Sequence, residues 1–256
     1  MSNAEFIFFS YLTNCLGLTL LVIRSINKKS PRALMRFLFM PILLTFLMGI
    51  ALQEYMETSI FSNRQLLVSI LLFVWCLKSI VSYNSIKIIL LSSVLDEIKR
   101  AIYKKTYFKI FNLIFRVSLI QLMCFSSALS TNYLSGSQHL KFSDLTGFVI
   151  CFIGLFIEML SEKELKNNSL NKTKIVESGL WSISRNPNLI GMFLFFFGIQ
   201  VIALNAISAF WSIFGFFLTG LIIFKNLMPN MENALMDKYP DYSEYSKRVP
   251  KLVRFK

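Results

Sequence analysis

Gly179-Leu-Trp-Ser-Ile-Ser-Arg185-Asn-Pro187-Asn188-Leu-Ile-Gly191 runs directly into an apolar stretch that ends at Leu204. An arginine and two asparagines at the mouth of such a run are costly unless something polar binds there. Pro187 fixes a backbone angle suited to the first turn of a helix, and Asn186 before it is a natural N-cap. The segment therefore reads as a helix start at a membrane surface, with free amides, the positive end of a dipole and a guanidinium. Such a place suits an anionic group such as a phosphate.

Composition agrees with a membrane setting. Hydrophobic residues make up 55% of 256 and charged residues only 16%, against about a quarter charged in soluble domains; mean hydropathy is +0.57. The four cysteines (Cys15, Cys76, Cys124, Cys151) lie in apolar runs without CxxC spacing, and His139 is the single histidine. This pattern argues against a disulfide framework or a metal site. The first apolar run follows only Met1 to Glu5, with no basic leader or evident cleavage site, and reads as a retained span.

Hydropathy predicts an all-α, polytopic helix bundle with spans at 6–23, 37–52, 65–83, 110–130, 144–160, 188–205 and 207–224. Ile86–Leu95 is apolar but too short to cross. Basic residues cluster at Arg24, Lys28, Lys29, Arg32 and Arg36, again at Lys99 to Lys109, in 161–175, and after the last span. The intervening loops hold Arg64, Lys141 and no basic residue near Asn205. The alternation predicts seven spans with the N-terminus outside and the C-terminus in the cytosol, in a bacterial inner membrane or the endoplasmic reticulum. The net charge of +13 then forms a collar facing anionic lipid, and nucleic-acid binding is not needed to explain it. Residues 1–143 form an N-terminal membrane half of four spans. Residues 144–256 form the C-terminal half with its cytosolic tail, within one integrated domain.

Three polar elements flank the last hairpin. Glu158, Glu162 and Lys166 recur every four residues, share a helix face, and allow an ordinary Glu162–Lys166 ion pair. Arg185 to Asn188 form the mouth, where an arginine can also serve simply as an interfacial anchor. The tail is punctuated by Pro229, Pro240 and Pro250 into two short amphipathic helices. Leu235, Met236 and Tyr239 are expected in the interface, with Tyr242 and Tyr245 presenting hydroxyls or belonging to an aromatic belt.

The order G-L-W-x-x-S-R-x-P-N-x-x-G (Gly179–Gly191), then P-x-x-E (Pro229, Glu232) and P-x-Y-x-x-Y (Pro240, Tyr242, Tyr245), resembles the C-terminal half of the steroid 5α-reductase-like membrane proteins. It looks closest to a bacterial branch of that superfamily. The similarity extends through Glu158, Glu162 and Glu164, where the branch has E-x-x-x-[DE]-x-[QE]. It reaches more weakly to Trp75-Cys-Leu-Lys78, where the branch tends to have W-G-L-R. Its strong part covers roughly 154–250. Isoprenylcysteine and phospholipid methyltransferases share a related R-H-P-x-Y-x-G core.

The resemblance implies a seven-helix reductase that takes NADPH from the cytosolic face and a lipophilic, steroid- or isoprenoid-like substrate from the bilayer. It implies cofactor contacts at Glu162, Arg185, Asn186, Asn188, Glu232, Tyr242 and Tyr245, and assigns no catalytic acid. Asn186 replaces the usual histidine, Leu189 the usual tyrosine and Met192 the usual glutamate, so two polar contacts of the pattern are missing. Two other readings stand beside the reductase. One is an S-adenosylmethionine-dependent lipid or thiol methyltransferase, and the other a non-catalytic membrane protein that keeps the fold. Glu54, Tyr55, Glu57 and Tyr83 are available in the N-terminal half but match no motif.

Overall fold

The computed structural model describes residues 3–27, 62–81, 98–101, 103–104, 106–133, 139–168, 175–205 and 211–253. Among the described residues the chain is all helix and turn, without strands. The helices are α1 (Asn3–Asn27), α2 (Asn63–Val81), α3 (Tyr107–Cys124), α4 (Ser126–Tyr133), α5 (Phe142–Asn168), α6 (Pro187–Ala203), α7 (Ser212–Leu221), α8 (Met228–Lys238) and α9 (Tyr242–Arg248). The expected spans at 6–23, 65–83, 144–160 and 188–205 fall on α1, α2, α5 and α6. The span at 110–130 falls on α3 and α4, which break at Phe125. The segments 37–52 and Ile86–Leu95, and Glu54, Tyr55, Glu57 and Tyr83, lie outside the described residues.

Two helical stretches, Phe142–Asn167 and Ser212–Asp237, are long and apolar enough to cross a membrane; Phe8–Arg24 and Pro187–Ala203 are shorter apolar helices. The two short helices expected in the tail are α8 and α9, with Pro229 in the first turn of α8 and Pro240 between them. The last apolar helix, however, does not end near residue 224. Instead α7 passes through a wide π turn, Ile222–Leu227, directly into α8. Proline lacks an N–H to donate, and a widened turn just before it absorbs the break in the helical ladder without ending the helix.

α5 and α6 run antiparallel along a seam of glycines. A Cβ at Gly154 would lie 2.5 Å from the Phe195 nitrogen and 2.6 Å from the Gly191 oxygen, and one at Gly147 would lie 2.7 Å from the Gly198 oxygen. Only glycine lets the two backbones approach this closely, as small residues do between membrane helices. Around the seam lies the first apolar core, with Trp75 of α2 at its centre. The Trp75 ring stacks on Phe195 at 5.7 Å and meets Phe196 edge-on.

A second apolar core caps one end of the seam. It joins Val176, Trp181 and Leu189 to Ile223, Met228, Met231 and Leu235, and to Tyr239, Tyr242 and Tyr245. The expectation that Leu235 and Tyr239 lie in a membrane interface is therefore corrected: both are buried against the loop before α6, whereas Met236 is exposed. The tail folds back because its apolar side chains find Trp181 and Leu189 as partners. Burial in a packed core removes more apolar surface from water than a partial interfacial contact.

The opposite end is held by charge. Arg64, at the start of α2, meets Asp144 of α5 with Nε and Nη2 each 2.9 Å from a carboxylate oxygen, both side chains fully buried. Asn205, just past α6, donates to the same carboxylate at 2.9 Å and to Ser143 at 2.7 Å. The amide of Lys141 adds a fourth donor at 2.8 Å. Such a fork-to-fork pair with every lone pair engaged fixes the register of α2, α5 and α6.

Candidate functional site

Met192 touches both apolar cores. Between the cores, around the start of α6, lies a layer of buried polar side chains. Pro187 occupies the first turn and Asn186 the N-cap position, as the sequence predicts. The Asn186 side chain does not cap the helix, however. Its amide donates instead to Glu232 of α8 at 2.9 Å and to the Lys251 carbonyl at 3.4 Å. The carboxylate is the stronger acceptor, and α8 places it within reach.

Glu232 also takes Nη1 of Arg185 at 3.5 Å. The guanidinium is thus already paired with a carboxylate, and it lies at the outer edge of the layer with its side chain 16% exposed. The helix start is not an open mouth. Pro187, Asn188 and Leu189 are buried, and the tail crosses over them. The amide of Arg185 donates to the Pro250 carbonyl at 3.0 Å, and the Ser184 hydroxyl to Lys251 at 3.3 Å.

The loop before α6 is built to carry this arrangement. Gly179 has a φ of 62°, the left-handed conformation open to glycine. Glu164 at the end of α5 sits over that turn and accepts the Leu180 amide at 3.0 Å. Trp181 then swings inward, donating its ring N–H to the Ser161 carbonyl at 3.0 Å. Its own carbonyl accepts the Tyr245 hydroxyl at 2.6 Å. Tyr245 and Tyr242 are fully buried with ring centroids 5.7 Å apart, so the expected hydroxyl display at the surface is corrected to a buried pair.

Burial, reinforced by the Glu232 carboxylate, pushes the Tyr242 hydroxyl up to about 12 against the pull of Arg185. Burial raises Tyr245 as well. An unfolded tyrosine ionises near 10. Between about 10 and about 12 the folded state therefore keeps a proton that the unfolded state has lost, so stability falls as pH rises through that window. The Tyr242→Phe protein is expected to lose less stability than the wild type between neutral pH and about pH 11, measured by unfolding in detergent. Identical slopes in the two proteins would exclude a role for Tyr242 in the alkaline loss.

α2 contributes a residue that the sequence offers only through the weak match at Trp75 to Lys78 and that was not among the expected site residues. Lys78, one turn past Trp75, places its ammonium against Glu158 and 3.3 Å from Glu162, both on α5. Glu162 thus meets a lysine from a distant helix, and Lys166 of its own helix is exposed. Glu158 in turn abuts Gly191: a Cβ there would lie 2.6 Å from the Glu158 nitrogen and 3.0 Å from its Cβ. The weak W-x-x-K signal at Trp75 to Lys78 was the trace of this contact.

The layer contains buried polar atoms without partners. They are the second oxygen of Glu158 and the side-chain oxygens of Asn186 and Asn188. The Asn188 amide reaches only the Met231 sulfur, at 3.9 Å. Buried polar groups are almost always satisfied, so orphans gathered around one helix start mark a site for a polar ligand. Of the predicted residues, Arg185, Asn186 and Glu232 are in direct contact, and Asn188 faces Met231, the neighbour of Glu232. Tyr242 and Tyr245 stack against the same loop. Glu162 joins from α5 through Lys78. Leu189 lies in the second apolar core, and Met192 packs against both cores.

A family described as a protein of unknown function (DUF1295) matches residues 55–249. The chain belongs to this family. The family match contains all of the polar layer, from Lys78 to Tyr245, and it crosses the boundary at 143/144. No curated protein and no solved structure matches the chain.

Proposed function

We propose that the chain is an NADPH-dependent membrane reductase of a C=C bond in a lipophilic, steroid- or isoprenoid-like substrate. We place it as a seven-span protein, N-terminus out and C-terminus in, with the polar layer at the cytosolic side. One observation carries the reading: unpaired, buried polar atoms collect at the start of α6, between the first apolar core and a cap built from the tail. A lipid entering along the first core and a cytosolic dinucleotide would meet there. The residues resembling the reductase pattern lie in the same layer, within the family match.

The residues present fit a dinucleotide. Arg185 at the rim offers a guanidinium to a phosphate. Asn186, Asn188 and Glu158 offer acceptors deeper in the layer. Trp181 and the tyrosines cover the start of α6 and keep water from it, which strengthens each polar contact inside. NADPH, when bound, supplies the hydride for the β-carbon of a conjugated lipid.

A second reading rests on a specific observation as well. Glu158, Glu162 and Glu232 outnumber Lys78 and Arg185 in the layer, and carboxylates favour a cationic ligand such as S-adenosylmethionine. Direct titration of the purified protein in nanodiscs with each cofactor separates the two. The reductase reading expects saturable NADPH binding and none of S-adenosylmethionine; the reverse result would establish the methyltransferase class instead. The orientation has its own check. Cysteines introduced at Lys141 and Lys163, at opposite ends of α5, are expected to label from opposite sides of sealed vesicles, Lys163 from the cytosolic side. Labelling of both from one side would overturn the arrangement.

A further inference from the structure

The orphaned atoms in the layer accept hydrogen bonds rather than donate them. Glu158 holds Lys78 through Oε1, leaving Oε2 unpaired in a residue only 2% exposed. The Asn186 amide is oriented by two acceptors, Glu232 and the Lys251 carbonyl, so its oxygen end faces away from both. That oxygen is buried and unpaired, as is the oxygen of Asn188. A phosphate carries only acceptors and cannot satisfy these three groups. The interior of the layer therefore calls for a ligand head rich in N–H or O–H donors, and the phosphate-binding role is confined to Arg185 at the rim.

We propose that Glu158 is a ligand-binding acceptor, with Lys78 as its positioning residue, and that the head it takes is an N–H donor. On the reductase reading, on which this assignment of the head rests, that donor is the carboxamide of the reduced nicotinamide. The placement follows from the helices. Gly191 brings α6 into backbone contact with α5 at Glu158, one turn beyond Asn188. Lys78 reaches the same carboxylate from α2 and ties one oxygen down. A carboxylate pinned at one oxygen in a dry site presents the other in a fixed direction, at no reorganisation cost when the ligand arrives. Lys78 thereby links α2 to the site at the far end of the sequence, and its loss acts on binding through Glu158.

The test uses the intact protein in nanodiscs and three probes: reduced nicotinamide mononucleotide, the adenosine bisphosphate half of NADPH, and S-adenosylmethionine. Glu158→Gln keeps the shape and removes the charge. Its affinity for the nicotinamide fragment is expected to fall about tenfold or more, with that for the adenosine fragment unchanged. Lys78→Met should reproduce the selective loss, whereas Lys78→Arg, which keeps a cation on Glu158, should restore affinity. Retained binding of the adenosine fragment shows that each variant is folded. If the wild type binds S-adenosylmethionine in place of the nicotinamide fragment and Glu158→Gln loses it, the acceptor assignment stands and the reductase reading falls. Equal affinity of wild type and Glu158→Gln for every probe, or binding of no probe by the wild type, overturns the proposal.

Discussion

Replacing Arg64 by Leu is expected to destabilise the bundle by about 3–5 kcal/mol, the cost of leaving a buried carboxylate without its cation. Asp144 is fully buried and accepts from Arg64, Asn205 and the Lys141 amide. The neutral donors survive the substitution but do not neutralise the charge. The Arg64→Leu/Asp144→Asn protein should regain most of the loss, because asparagine keeps an acceptor for Asn205 and carries no charge to strand. Unfolding in mixed detergent measures both proteins. A single substitution costing under about 1 kcal/mol, the range of exposed pairs, would show that water reaches the carboxylate and that the pair does not hold the register of α2, α5 and α6.

The same ion pair marks a limit of sequence reading. Arg64 counts in the sequence as a lone loop charge, and the span 144–160 carries no signal at Asp144; nothing in their local pattern says that residues 80 positions apart meet. The partners of Lys78 are hidden in the same way, since the match at Trp75 to Lys78 does not say that Glu158 and Glu162 lie opposite. Periodicity reports which face of a helix is apolar, not which helix lies opposite. It served well where the information is local. Pro187 does open α6 with Asn186 at its N-cap position, and among the described residues the apolar runs coincide with helices. It misleads about where the last apolar helix stops, because a π turn just before Pro229 carries the helix on into the tail. The tyrosines were misjudged for a related reason. An amphipathic tail reads alike whether it faces lipid or its own loop, and only the positions of Trp181 and Leu189 decide.

The candidate site was legible as residue types but not as partnerships. Arg185 read as an open anion receptor, whereas the fold supplies Glu232 as its resident partner. That pairing gives the cofactor assignment a test with two opposite signs. Arg185→Ala is expected to weaken NADPH binding by about 1.5–3 kcal/mol, the scale of a hydrogen bond to a charged group. Glu232→Gln should strengthen it. Glutamine still accepts the Asn186 amide, but it no longer holds the guanidinium by charge and no longer repels a phosphate. Binding isotherms for the two proteins in nanodiscs, with unfolding curves as a control for folding, measure both effects. Unchanged affinity in a folded Arg185→Ala protein would remove Arg185 from the cofactor site. A Glu232→Gln protein that loses affinity as far as Arg185→Ala would mean that the carboxylate aims the guanidinium at the ligand rather than competing for it. The two carboxylates would then divide the work, Glu232 setting the rim and Glu158 the interior of the layer.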